Sequence, residues 1–119
     1  MANPLTLNDL TQQVLENLQV VPEGQPPEAD DINRVLSRLP NILDGLRARE
    51  IIPPVDPTNI PTVWITDLAK CCAWELKDLY GVAGEFVQTL MLSNAEGMAN
   101  LKTITRGKPT FETLKTLSF

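Results

Sequence analysis

Apolar residues recur at Leu7, Leu10, Val14, Leu15 and Leu18, the three-and-four spacing that lines one face of a helix. Thr6 stands ahead of them as an N-cap, and Asp9 sits near the positive end of the helix dipole. The run Val20-Val21-Pro22-Glu23-Gly24-Gln25-Pro26-Pro27 then dictates a loop, because proline lacks the N–H a helix interior needs. A second helix opens on carboxylates (Glu28, Asp30, Asp31), where the dipole favours them. It continues through Ile32, Val35, Leu36, Leu39, Ile42, Leu43 and Leu46, one continuous stripe. Pro40 interrupts its backbone bonding, but the stripe stays in phase across it, so the pattern predicts a kink rather than two helices.

Ile51 to Pro61 holds four prolines and reads as an extended crossing or a short hairpin-like excursion. A third helix is expected from near Pro61, through Trp64, Ile65, Leu68, Ala69, Cys72, Leu76 and Leu79, to Gly81 as its C-cap. Its small central residues (Ala69, Cys71, Cys72, Ala73) permit a close neighbour and mark it as the central helix. Trp64 and Trp74 lie about 80° apart around it, so one can face the core and the other a neighbour, or both can be partly buried. A fourth helix begins between Val82 and Glu85 and shows Phe86, Leu90, Met91, Ala95, Met98 and Leu101, with Gly97 expected to weaken its last turns. Periodicity fades from Thr103. Phe111, Leu114, Leu117 and Phe119 are too few to fold alone; either this segment packs on its own helices or it waits for a partner. Fully extended, the last 15 or so residues span roughly 50 Å. The expectation is an all-α fold: a small bundle of about four helices over residues 1–103, with proline-rich connections and an extended C-terminal tail over residues 104–119.

A chain of 119 residues suits a single domain. Hydrophobic residues at 43% exceed what a disordered chain carries, and aromatics at 5% leave the core to aliphatic side chains. No apolar run approaches the roughly 18 residues of a membrane span. Met1-Ala2-Asn3-Pro4 lacks the features of a signal peptide, so the chain is expected to stay in the compartment that makes it. Charge is uneven. Residues 1–101 hold 6 basic and 14 acidic groups, whereas residues 102–119 hold Lys102, Arg106, Lys108 and Lys115 against Glu112. An acidic body argues against duplex DNA binding as the main task. The basic end is better suited to an acidic protein surface than to DNA.

Little catalytic chemistry is visible. Histidine is absent, which removes the commonest base for a serine or cysteine nucleophile. The six glycines are scattered singly, so no phosphate-cradling loop forms. Cys71 and Cys72 are adjacent, a spacing that bridges only with strain and lacks further metal ligands; they read as small apolar residues within a helix. The carboxylates Asp30, Asp31, Asp67, Glu75 and Asp78 read as a solvated helix surface rather than an acid/base pair in a cleft, which leaves little room for a peptidoglycan hydrolase. The expectation is a non-enzyme with no cofactor and no metal.

The run Val35-Leu36-Ser37-Arg38-Leu39-Pro40-Asn41-Ile42-Leu43-Asp44-Gly45-Leu46-Arg47-Ala48-Arg49-Glu50-Ile51-Ile52-Pro53 resembles the second helix of tailed-bacteriophage head-to-tail adaptors. The opening helix with its acidic, proline-bearing loop fits the same pattern, as does Leu68-Ala69-Lys70-Cys71-Cys72-Ala73-Trp74-Glu75-Leu76 followed by Tyr80-Gly81. The likeness covers residues 5–101. Three positions depart from it: members usually have a polar residue at Pro40, tryptophan at Leu46 and glycine at Glu50. The resemblance implies a head completion protein of the virion. Copies would form a portal-extending ring of about twelve at the head–tail interface, assembled in the host cytoplasm. Such rings extend the DNA channel, help to retain packaged DNA, which passes without specific binding, and offer a platform to a tail or nozzle protein. Docking on the portal protein would fall to Arg106, Lys108, Phe111, Leu114, Leu117 and Phe119. The other class open to this sequence is a soluble helical scaffold or regulatory interaction protein; a tail folded back on its own bundle points that way.

Overall fold

In a computed structural model, residues 5–22 and 24–105 are described, and they form an all-α bundle. Helix α1 spans Leu7–Asn17, α2 Ala29–Leu36, α3 Leu39–Ala48, α4 Thr62–Leu76 and α5 Glu85–Thr105, with a single 3-10 turn over Lys77–Tyr80. Among the described residues, extended pairing is confined to one antiparallel bridge between Leu5 and Ile60.

The start of α1 is fixed locally, since the Asp9 carboxylate accepts from the Thr6 N–H at 2.8 Å and from its hydroxyl at 3.2 Å. Its apolar face is buried through Leu10, Val14, Leu15 and Leu18. Thr11 is wholly buried as well, its hydroxyl donating to the Leu7 carbonyl at 2.7 Å, which satisfies a polar group the core could not otherwise accommodate. The helix ends through Gln19, held at φ 61, with the Val20 N–H donating back to Leu15. The loop that follows is tethered by Glu16, whose carboxylate accepts from the Gly24 N–H at 2.9 Å and the Gln12 amide at 2.8 Å. These bonds hold its pKa below the ordinary carboxylate value.

The stripe across Pro40 does not make one kinked helix. The chain leaves α2 at Leu36 and turns through Ser37 and Arg38 before α3 begins at Leu39. The Arg38 N–H donates to the Val35 carbonyl, a tighter 3-10-type bond, and the Ile42 N–H then donates to the Arg38 carbonyl. Breaking here places Pro40 in the first turn of a new helix, where a missing N–H leaves nothing unpaired. Val35, Leu39, Leu43 and Leu46 still face the core together.

The proline-rich crossing contributes to the core instead of merely connecting. Ile51, Ile52 and Ile60 are buried. Ile60 N–H donates to the Leu5 carbonyl at 2.7 Å and Leu7 N–H to the Pro57 carbonyl at 3.1 Å, so the segment is clipped to the beginning of α1. Helix α4 is the spine. It packs on α1, α3 and α5 and buries Ile65, Asp67, Leu68, Ala69, Cys71, Cys72, Ala73 and Leu76. It ends at Leu76, tightens into the 3-10 turn, and is closed by Gly81 in the left-handed conformation at φ 62.

Gly97 has a different role from the weakening its sequence position suggested. Helix α5 runs unbroken to Thr105, two residues into the segment assigned to the tail, and Gly97 lies buried against α4. A Cβ there would meet the Asp67 carbonyl oxygen at 2.9 Å, Lys70 Cβ at 3.2 Å and Cys71 Sγ at 3.3 Å. The absent side chain is what lets the two longest helices touch.

Candidate interaction surfaces

The six residues assigned to portal docking (Arg106, Lys108, Phe111, Leu114, Leu117 and Phe119) lie outside the described residues. Within the described body, Val63 on α4 stands exposed by itself, and two larger surfaces present apolar groups to solvent. The first is a strip along α5. Met91 is 47% exposed and Leu92 68% exposed, and Ala95 and Ala99 continue outward on the same side, as the three-to-four-residue spacing of a helix requires. The core side of α5 is formed instead by Leu90, Gly97 and Leu101, with Phe86 and Met98 packed beside them. Met91 and Ala95, which belong to the helix's apolar periodicity in the sequence, therefore point away from the core. A helix with apolar residues on two sides is the signal that was there to be read; Leu92 and Ala99 complete a second stripe about opposite to the first.

The second surface is a hollow of about 280 Å3 where α1, α3 and the proline segment meet. Leu7, Leu43, Val55 and the rings of Pro40, Pro53 and Pro57 line it. Asp44 and Arg47 supply its charged groups. Within the proline segment Asp56 forms a tight local turn, its carboxylate accepting from the Thr58 N–H at 2.9 Å and hydroxyl at 2.7 Å. The same two bonds, the hydroxyl's first, lower the Asp56 pKa.

The titratable groups singled out by type are engaged structurally. Asp67 is buried and accepts from the Asn100 amide at 3.2 Å, with Lys70 Nζ at 3.9 Å. Lys70 reaches across to Glu96 at 2.6 Å, which lowers the Glu96 pKa, so α4 and α5 are joined by polar contacts above the Gly97 crossing. Glu75 pairs with Arg49 at 3.5 Å. Asp31 accepts a hydrogen bond from the Tyr80 hydroxyl at 3.3 Å while Arg34 lies 5.8 Å from the ring centre. Burial first, and the neighbouring Asp31 charge second, raise the Tyr80 pKa. Cys71 and Cys72 are free, buried thiols. Desolvation pushes Cys71 up to about 12 and Cys72 in the same direction, so neither supplies a thiolate at neutral pH. Trp64 and Trp74 are both partly buried against the core, and Lys77 Nζ lies 3.9 Å from the Trp74 ring centre. No group of three or more metal-ligating side chains occurs among the described residues, and no helix among them is long and apolar enough to cross a membrane. The chain matches no family model, no curated protein and no solved structure.

Proposed function

We propose that this chain is a structural subunit of a tailed-bacteriophage head-to-tail connector. Copies of it, about twelve by the resemblance, close into a ring beneath the portal protein. The ring extends the DNA channel, helps to retain the packaged genome and presents a platform to a tail or nozzle protein. Residues 106–119 are its anchor on the portal, with Arg106 and Lys108 meeting acidic groups and Phe111, Leu114, Leu117 and Phe119 meeting apolar ones. No catalytic step, metal or cofactor belongs to this role.

The exposed strip of α5 carries the reading. Leu92 and Met91 stand in solvent on the longest helix, and an assembled subunit would bury them against its neighbour. Two further features support it. The acidic body suits a channel wall that must not grip DNA, because like charge repels the phosphate backbone. Glu50 sits at φ 60, with the Ile51 N–H donating back to Leu46. This left-handed conformation is the one glycine adopts without strain, and glycine is the residue adaptors usually have at this position.

Sedimentation of the purified chain with and without its portal tests the proposal, alongside a version ending at Thr105 and a Leu92→Glu variant. The full chain is expected to form a large complex with the portal, the shortened one none, and Leu92→Glu fewer than a full ring of copies. If the full chain ignores the portal, a free-standing helical scaffold or regulator becomes the better account.

A further inference from the structure

The solvent face of α5 is divided into a bulky half and a slender half. Gln88, Met91, Leu92, Ala95, Ala99 and Lys102 fall within an arc of about 100° around the helix, and all six are exposed. Met91 and Leu92 stand on the first half of this face, 47% and 68% exposed. On the second half the apolar groups are the methyls of Ala95 and Ala99. Charge is divided in the same sense, with Glu85 in the first turn and Lys102 in the last. Neither belongs to an ion pair among the described residues.

We infer that this face pairs with the same face of a second copy of the chain, the two α5 helices running antiparallel about a two-fold axis between Ser93 and Asn94. Positions equally far from that axis in sequence come level with one another. Leu92 therefore meets the partner's Ala95, Gln88 the partner's Ala99, and Glu85 the partner's Lys102. Each larger side chain lies over a methyl group, so the ridges of one helix enter the grooves of the other. Each carboxylate meets an ammonium, and every contact occurs twice because the interface is isologous. A parallel pairing is worse on each count. Leu92 would abut Leu92, the alanines would leave a gap, Glu85 would face Glu85, and the helix dipoles would lie side by side in the same sense.

Two single helices touching over about 26 Å bury less than the roughly 1,200 Å2 of a standard interface, so the pair is weak and depends on concentration. The pairing goes beyond the proposed function and stands on α5 alone. A two-fold pair closes on itself and cannot grow into a ring, so a ring-forming subunit would exchange this contact for its ring neighbour.

Sedimentation equilibrium of the full chain at low salt, without a portal, from about 10 to 500 µM reads the pairing. A monomer–dimer equilibrium is expected. Leu92→Glu should weaken it by at least about a hundredfold, because it sets a carboxylate against apolar methyls. Glu85→Lys and Lys102→Glu should each weaken it about tenfold, since like charges then face each other, and the double reversal should restore it. All three side chains are exposed, so each variant should melt with the parent. A chain monomeric throughout that range overturns the inference, as does a dimer indifferent to Leu92→Glu. So does a double reversal no better than the single ones, because the helices are then not antiparallel in this register. Species larger than a dimer overturn it too, since they require two different faces. Portal binding is read apart from this: a dimer that ignores the portal upholds the pairing and sinks the adaptor, and a monomer that binds the portal does the reverse.

Discussion

Replacing Gly97 by alanine tests whether the α4–α5 crossing is as close as the structure has it, because two opposed effects of known size meet there. Alanine is the better helix former by roughly 0.8–1.0 kcal/mol in a helix interior. Against this, the new methyl group would lie 2.9 Å from the Asp67 carbonyl oxygen, where ordinary contact begins at 3.4 Å. That oxygen is backbone in the middle of α4 and cannot rotate aside, so the helices must separate by about half an ångström. A gap of that size forfeits about a quarter of each dispersion contact along the crossing, and overpacking of this kind costs about 1–3 kcal/mol. The clash outweighs the propensity gain, leaving a net loss of up to about 2 kcal/mol, or a fall of up to about 15 °C in Tm for a domain of this size. Gly45→Ala is the control. Gly45 lies within α3, and a Cβ there meets nothing within 4 Å, so the propensity gain stands alone and Tm should rise by about 4–8 °C. Thermal and urea unfolding followed by circular dichroism read both. If Gly97→Ala melts at or above the parent temperature while Gly45→Ala rises as expected, the close crossing is wrong.

The buried thiols make a second prediction. With Cys71 pushed up to about 12 from an ordinary 9.0, its reaction with a thiol reagent at pH 8 should be slower in the folded chain than in guanidine by on the order of a thousandfold; equal rates would place the thiols at the surface. The sign for stability follows from the same shift. The folded thiols keep their protons longer than the unfolded ones, so their contribution is complete below pH 9.0 and is lost as pH rises toward about 12. Urea midpoints should therefore fall through that alkaline window, and fall less in a Cys71→Ala, Cys72→Ala double variant. Asn100→Ala removes the amide that donates to buried Asp67 and should destabilise the chain by about 1–2 kcal/mol in the same urea assay, whereas no change would mean that Lys70 alone satisfies the carboxylate.

Much of the architecture was determined by the sequence on its own. The stripe on α1, the capping pair Thr6 and Asp9, the proline stop after Val21 and the left-handed Gly81 each act within a few residues, and local spacing and backbone chemistry suffice for them. The central place of α4 could also be read, because small side chains at Ala69, Cys71, Cys72 and Ala73 permit a neighbour to approach closely. Tertiary structure decided the remainder. Whether Pro40 kinks or breaks its helix depends on how the turn at Ser37 and Arg38 is held, which the phase of the apolar stripe does not report. Gly97 looks like a weakness in one dimension and becomes a contact only when Asp67 is brought against it from 30 positions earlier. The two sides of α5 could not be ranked by periodicity, since both are apolar; packing against α4 chose Leu90 and Leu101 and left Met91 and Leu92 outside. The proline hollow is likewise assembled from three separate stretches of chain, and only their meeting creates a surface there.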